Sequence, residues 1–295
     1  MSFQDFDFEQ PSHEDPPIIL PPVDSSHDGL KIAGAVVLVI AVAATGYLVF
    51  RNRQVAAPPN ASAATPAPAA TEVSKGLGAD GPAIDLPPLD ESDDVVRGLV
   101  KELSSNPSVA AWLMTRNLIR NFTVVVSNIA AGEPAARQVT VLRPKGAFQV
   151  EERGEDLFIN SRGYSRDLPL STAASSVNPE DAAKLYTTLK PRIEDAYREL
   201  GISGSFDRTL ERAIVSLLEV PILPETGVRV RTEEQGIGYA YVDSRLEGLT
   251  SAQKQLLRMG PRNVATVQSA LRAIALALGI PAERLPPPRT SPRTP

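Results

Sequence analysis

The residues best equipped for chemistry in this chain lie in one short run, Arg258-Met-Gly-Pro-Arg262-Asn263. Gly-Pro between two helical patterns exposes the start of the second helix, whose first N–H groups lack partners within the helix. With Arg258 and Arg262 beside it and Asn263 in the first turn, that start is suited to an anion. The alternative is a fixed helix-helix corner whose arginines pair with acids elsewhere in the fold, and salt-bridge networks favour that reading. Ser251-Ala-Gln-Lys254 has the Ser-x-x-Lys spacing of penicillin-binding enzymes, but neither Ser-Asp-Asn nor Lys-Thr-Gly follows it. A helix-start serine with a solvated lysine explains it better.

Carboxylates offer two further groups. Glu151, Glu152, Glu155 and Asp156 flank a predicted turn and can be read as paired catalytic acids or as the solvated acids of a hairpin, the second being favoured. Asp90, Glu91, Asp93 and Asp94 supply the oxygens a hard cation needs, yet lack the glycine and distal Glu of a calcium loop. Acids in a first helical turn also complement the helix dipole. Arg162, Tyr164, Arg166 and Asp167 form a polar and aromatic cluster in a loop that either lines a cleft or packs the loop onto helices. The chain has no Cys, and its two histidines, His13 and His27, precede the folded part. Ser-His-Asp, Cys-His and His-ligated metal sites are therefore excluded from that part. No cofactor, no metal and no assigned catalytic residue is expected; the binding candidates are Arg258, Arg262 and Asn263.

The elements that must position these groups follow from periodicity. Val95, Val96, Leu99, Val100 and Leu103 recur at helical spacing after a run of capping acids, and a short helix after Asn106-Pro107 carries Trp112. Leu118, Phe122, Val125 and Ile129, with Ile119 and Val126, define an amphipathic helix ending near Gly132. From Arg137 to Leu170 the pattern shortens, and QVTVLRP, AFQVEE and DLFINS read as two or three strands. Asn178-Pro179 starts a helix with Leu185, Leu189, Ile193, Ala196 and Leu200 on its inner face, which Pro191 must kink or split. Phe206 to Val220 is helical through Leu210, Ile214, Leu217 and Leu218. GVRVRT and GIGYAYV form a strand ribbon turning at Glu233 to Gly236, and two helices meet at Gly260-Pro261, the second carrying Val264, Val267, Leu271, Ile274 and Leu278. Trp112, Tyr186 and Tyr197 read as core. The fold class is α+β, mostly α, with a few short antiparallel strands.

Composition divides the chain further. Residues 1–29 hold seven acids and no Lys or Arg, a mixture too poor in apolar surface to order itself. Residues 30–50 are read as a transmembrane helix: Ile32–Phe50 is uncharged and, at about 1.5 Å per residue, close to the roughly 30 Å hydrocarbon thickness. Residues 51–85 form an Ala/Pro-rich linker, 86–285 a single folded domain, and 286–295 a disordered tail. Arg51 and Arg53 against Lys31 favour a cytoplasmic C-terminal side, whereas a semi-rigid spacer makes most sense across a periplasm. The periplasmic arrangement is the expectation. From Asp90 to Leu285 there are 24 basic and 25 acidic residues, which gives no electrostatic case for nucleic acid.

LPPLDESDD, NPSVAAWL, NLIRNFTVVVSNIA, LRPKGAF, Tyr164 with SRD, LYTTLKPRIEDAYRELG, FDRTLERAI and SAQKQLLRMGPRN, in that order, resemble the family known as domain of unknown function (DUF) 3014. The resemblance runs from about Leu86 to Leu278. It implies a bacterial single-pass envelope protein with an anchored extracytoplasmic domain, and it supplies no activity or ligand; the bacterial inner membrane is the expected location. The expected function is a non-enzymatic scaffold that recruits an envelope protein partner. A wall-active hydrolase using carboxylates and an anion or glycan sensor are the alternatives.

Overall fold

A computed structural model describes residues 76–78, 85–101, 104–133, 147–233 and 238–287. The predicted span, the acidic tail, most of the linker and the QVTVLRP segment lie outside the described residues. Among the described residues no helix is long and apolar enough to cross a membrane. The structure is mostly helical: α1 (Ser92–Lys101), α2 (Pro107–Leu113), α3 (Leu118–Ala130), α4 (Leu168–Ser175), α5 (Pro179–Glu199), α6 (Phe206–Leu218), α7 (Ser244–Glu247), α8 (Ser251–Leu257) and α9 (Pro261–Ala277). Its strands are β1 (Val150–Arg153), β2 (Asp156–Ile159), β3 (Arg229–Thr232) and β4 (Tyr239–Tyr241).

Helix starts follow the sequence chemistry. Asn106 Oδ1 accepts from Ser108 N at 2.9 Å and Asn178 Oδ1 from Asp181 N at 3.0 Å, each followed by a proline in the first turn. This satisfies donors that the helix leaves open while fixing its first φ. Thr250 and Gln253 form a reciprocal capping box on α8.

Helices α3, α5, α6 and α9 form the central bundle, with α4 lying against α9. Its focus is the fully buried Phe206, whose ring lies 5.4 Å from Phe122, 5.5 Å from Tyr197 and 6.4 Å from Tyr186. Tyr186, Tyr197 and Trp112 are core residues, as the pattern predicts. Every predicted inner position of α3, α6 and α9 is buried. Each buried Leu, Ile or Phe contributes roughly 1.5–3 kcal/mol of transfer free energy, so these stripes hold the bundle together. Polar groups close its ends. Gln268 Nε2 donates to Leu217 O at 2.9 Å and Val220 O at 2.8 Å, and Gln253 Nε2 to Ser216 O at 2.9 Å, satisfying carbonyls in the last turn of α6 and just beyond it.

The four strands make one antiparallel sheet in the order β1-β2-β3-β4. Two local hairpins meet where Leu157 pairs Val230 and Phe158 pairs Arg229. Ile159, Val230 and Tyr241 turn inward onto the helices.

One detail narrows the sequence reading, which allowed Pro191 to kink or to split its helix, and two depart from it. Pro191 does not split α5, which runs unbroken from Pro179 to Glu199. Pro191 is exposed, so the Thr187 carbonyl it leaves without an N–H donor is on the half-buried side of the helix rather than in the core. The hydroxyls of Thr187 and Thr188 bond back to the carbonyls of Ala183 and Lys184 in the preceding turn. Leu200 is 39% exposed because α5 has ended beneath it. The Arg162 to Asp167 stretch, read as a loop, is a 3-10 helix, Ser161–Asp167, leading straight into α4.

Candidate functional site

The RMGPRN run is a corner built around a missing side chain. Gly260 joins α8 to α9 at φ 87° and ψ 159°, a conformation nearly closed to other residues. The Tyr164 ring occupies the space a Cβ would take. Asn263 then locks three elements together: Nδ2 donates to Tyr164 O at 2.9 Å and Met259 O at 2.8 Å, while Oδ1 accepts from Ser171 Oγ at 2.6 Å. The side chain is buried and its donors and acceptor face the protein. Arg258 donates through Nη2 to Tyr239 O at 2.7 Å, with its guanidinium carbon 5.9 Å from the Phe148 centroid and 5.8 Å from that of Tyr241. Arg262 is 88% exposed and lies 3.4 Å from Glu225. The three candidate anion ligands are thus divided among a joint, an aromatic stack and an exposed ion pair.

Arg166 enters the same stack from the 3-10 helix, 5.2 Å from the Phe148 centroid. Its Nε lies 3.1 Å from Asp167 Oδ2, and the two side chains are only 7% and 3% exposed. Burial pushes the Asp167 carboxyl up to about 6 against the opposing pull of Arg166. Burial, with the Glu225 charge, pushes the Tyr164 hydroxyl up to about 12, and burial raises that of Tyr241 as well. Arg166 Nη1 and the Tyr241 hydroxyl have no hydrogen-bond partner among the described residues. Two guanidiniums against one phenyl ring contribute on the order of 1 kcal/mol each when partly desolvated, which ties the 3-10 helix and the corner to the residues leading into β1.

The remaining sequence candidates are dispersed. Glu151 is ion-paired with Arg153 and Asp156 with Arg229, while Glu152 and Glu155 are exposed at the hairpin. Asp93 accepts from Asn117 N at 2.7 Å and Leu118 N at 2.8 Å and so caps α3 from the neighbouring helix; Asp90 pairs with Arg120 and Asp94 with Arg97. Lys254 pairs with Glu247, and Ser251 is exposed. Among the described residues no group of three or more His, Cys, Asp or Glu side chains is placed to hold a metal ion.

A different surface has room for a ligand. An open groove of about 750 Å³ runs along the outer face of α6, lined by Ser203, Ser205, Arg208, Arg212 and Glu219, with Arg284 at one side. That volume lies within the roughly 300–1,000 Å³ range of ligand sites. Arg284 Nη2 is held by Glu211 Oε1 at 2.7 Å, and Arg212 Nη2 donates to Thr209 Oγ1 at 3.1 Å, which is itself 2.8 Å from the Tyr197 hydroxyl. Arg208, one turn from Arg212, makes no hydrogen bond or ion pair among the described residues. Sequence reasoning missed this groove. Its only signal is the stripe left over when the apolar face of α6 is removed, and Arg284 joins it from 72 residues beyond Arg212 in chain numbering.

No curated protein and no solved structure matches the chain. The model of the family described as protein of unknown function (DUF3014) matches residues 118–275, a span running from the first residue of α3 almost to the end of α9 and including the corner, the stack and most of the groove. Covering more than half of the sequence, that match establishes that this chain belongs to the DUF3014 family.

Proposed function

We propose that this chain is a non-catalytic recruiting protein of the bacterial inner membrane. In this reading residues 30–50 span the membrane once, residues 51–85 act as the spacer, and the folded domain stands on the periplasmic side and binds an envelope protein partner. The observation that carries the recruiting role is the α6 groove, where Arg208 and Arg212 stand one turn apart beside the exposed Ser203 and the half-buried Ser205. The chemistry fits an extended, acidic segment of the partner, since adjacent guanidiniums take carboxylates in forked geometry and favour fast, steered encounter. The hydrolase reading has less support: its carboxylates are exposed or ion-paired at a hairpin.

Crosslinking of the full-length protein in its own membranes tests this. The wild type is expected to capture an acidic envelope protein that the double variant Arg208→Glu, Arg212→Glu and a stalk-only control both lose. Recovery of the same proteins by all three rules out the groove. Reporter fusions after Pro88 test the topology independently, and cytoplasmic reporter activity there overturns the periplasmic assignment.

A further inference from the structure

Three residues of the linker, Gly76, Leu77 and Gly78, lie on the folded domain and are held at several points. Gly78 N donates to Leu278 O at 2.9 Å, at the end of α9. Leu77 N donates to Asp207 Oδ2 at 3.1 Å, in the first turn of α6. The same oxygen accepts from Lys190 Nζ of α5 at 2.6 Å, and Asp207 Oδ1 accepts from the Tyr186 hydroxyl at 2.6 Å. Lys190 Nζ also reaches Leu77 O at 3.5 Å. The Leu77 side chain packs, partly buried, against the core.

The sequence of the segment is matched to its seat. Gly78 has φ 96°, and a Cβ there would overlap Thr187 Oγ1; a Cβ on Gly76 would overlap Lys190 Nζ. Glycines therefore allow the backbone to reach the Asp207–Lys190 pair, while leucine supplies the only side chain of the three. Burial and the Asp207 charge hold the Tyr186 hydroxyl well above its ordinary range, so it remains a donor that orients the carboxylate.

We infer that the seam between α5, α6 and the end of α9 is a binding site for an extended Gly-Leu-Gly segment, filled in cis by Gly76–Gly78, which fastens the linker to the domain. The site does not depend on the groove or on its partner. While the segment is seated, the spacer ends at residue 75, and 25 residues of extended chain reach about 80 Å at about 3.1 Å each. Release adds residues 76–85 and about 30 Å more. The seated segment also fixes which side of the domain faces the tether, namely the side where α9 ends and α6 begins.

Trypsin reads the seat directly, because Lys75–Gly76 and Arg53–Gln54 are both cleavable bonds of the linker in the full-length chain. Seating protects the first and leaves the second as an internal reference. Gly78→Val is expected to raise the rate of cleavage after Lys75, relative to Arg53, at least tenfold with the thermal melt of the domain unchanged. Leu77→Ser, which removes the apolar contact without adding bulk, is expected to act in the same direction. A Lys75 to Arg53 ratio that stays at the wild-type value in both variants overturns the inference.

Discussion

Arg166 and Arg258 on one side of the domain, and Arg208 and Arg212 on another, put the same guanidinium group to different uses. The first pair lies against Phe148, with Asp167 and the Tyr239 carbonyl taking hydrogen bonds, so its charge is engaged within the fold. The second pair stands on the outer face of α6 beside an open volume, and Arg208 has no ionic or hydrogen-bonding partner among the described residues. Desolvation separates the two cases. A guanidinium shut away from water costs several kcal/mol unless partners replace its hydration, whereas an exposed one keeps its hydration and stays available to a ligand. The motif richest in reactive residue types therefore holds the fold together, and a plain amphipathic helix carries the open surface.

That contrast can be broken at its centre. Gly260→Val puts a side chain into the Tyr164 ring from a backbone conformation that β-branched residues avoid, and is expected to cost about 4 kcal/mol. The corresponding loss in Tm, measured by calorimetry, is on the order of 10 °C for a domain of this size. Arg166→Ala leaves Asp167 buried without its partner and is expected to cost about 3 kcal/mol in denaturant unfolding. The next test uses pH. The Asp167 carboxyl is raised from 3.8 to about 6, so between those values the folded chain holds a proton that the unfolded chain releases. Its contribution is fully present below about pH 4 and is lost as pH rises through 6, by up to about 3 kcal/mol across the window. Subtracting the melts of Asp167→Asn from those of the wild type isolates that slope, and a flat difference excludes the buried-carboxyl assignment. At the small end, Arg208→Ala with Arg212→Ala is expected to change stability by no more than about 0.5 kcal/mol. A larger loss would show that the groove arginines, too, are structural.

Helices with one apolar stripe were legible in the sequence. Val264, Val267, Leu271, Ile274 and Leu278 are all nearly inaccessible, because a stripe at alternating three and four spacing has one face to bury. Helix α4 escaped notice since LPLSTAAS lacks that contrast; Leu170, Ser171, Ala173 and Ala174 are all buried in close packing against α9. The two hairpins were visible as alternation, but the pairing between them was not, because nothing local encodes it. The corner was flagged by residue type. Its role depends on Tyr164, whose carbonyl lies 99 residues from Asn263, and only the folded chain brings them together.

The meeting of β2 and β3 also sets an order of events. Arg229 lies 73 residues beyond Asp156, with the 3-10 helix, α4, α5 and α6 between them. Each hairpin can form early from neighbouring residues, but their junction requires closing that whole interval, a step whose entropic cost is met only once the intervening helices have packed. Sheet completion therefore comes late, and amide exchange at the junction, where Ile159 N donates to Val228 O at 2.9 Å, is expected to proceed through an opening that leaves the helices packed and costs less than global unfolding. A fragment ending before Val228 would retain helical segments but leave the second edge of the β1–β2 hairpin uncovered, exposed to pairing with another chain.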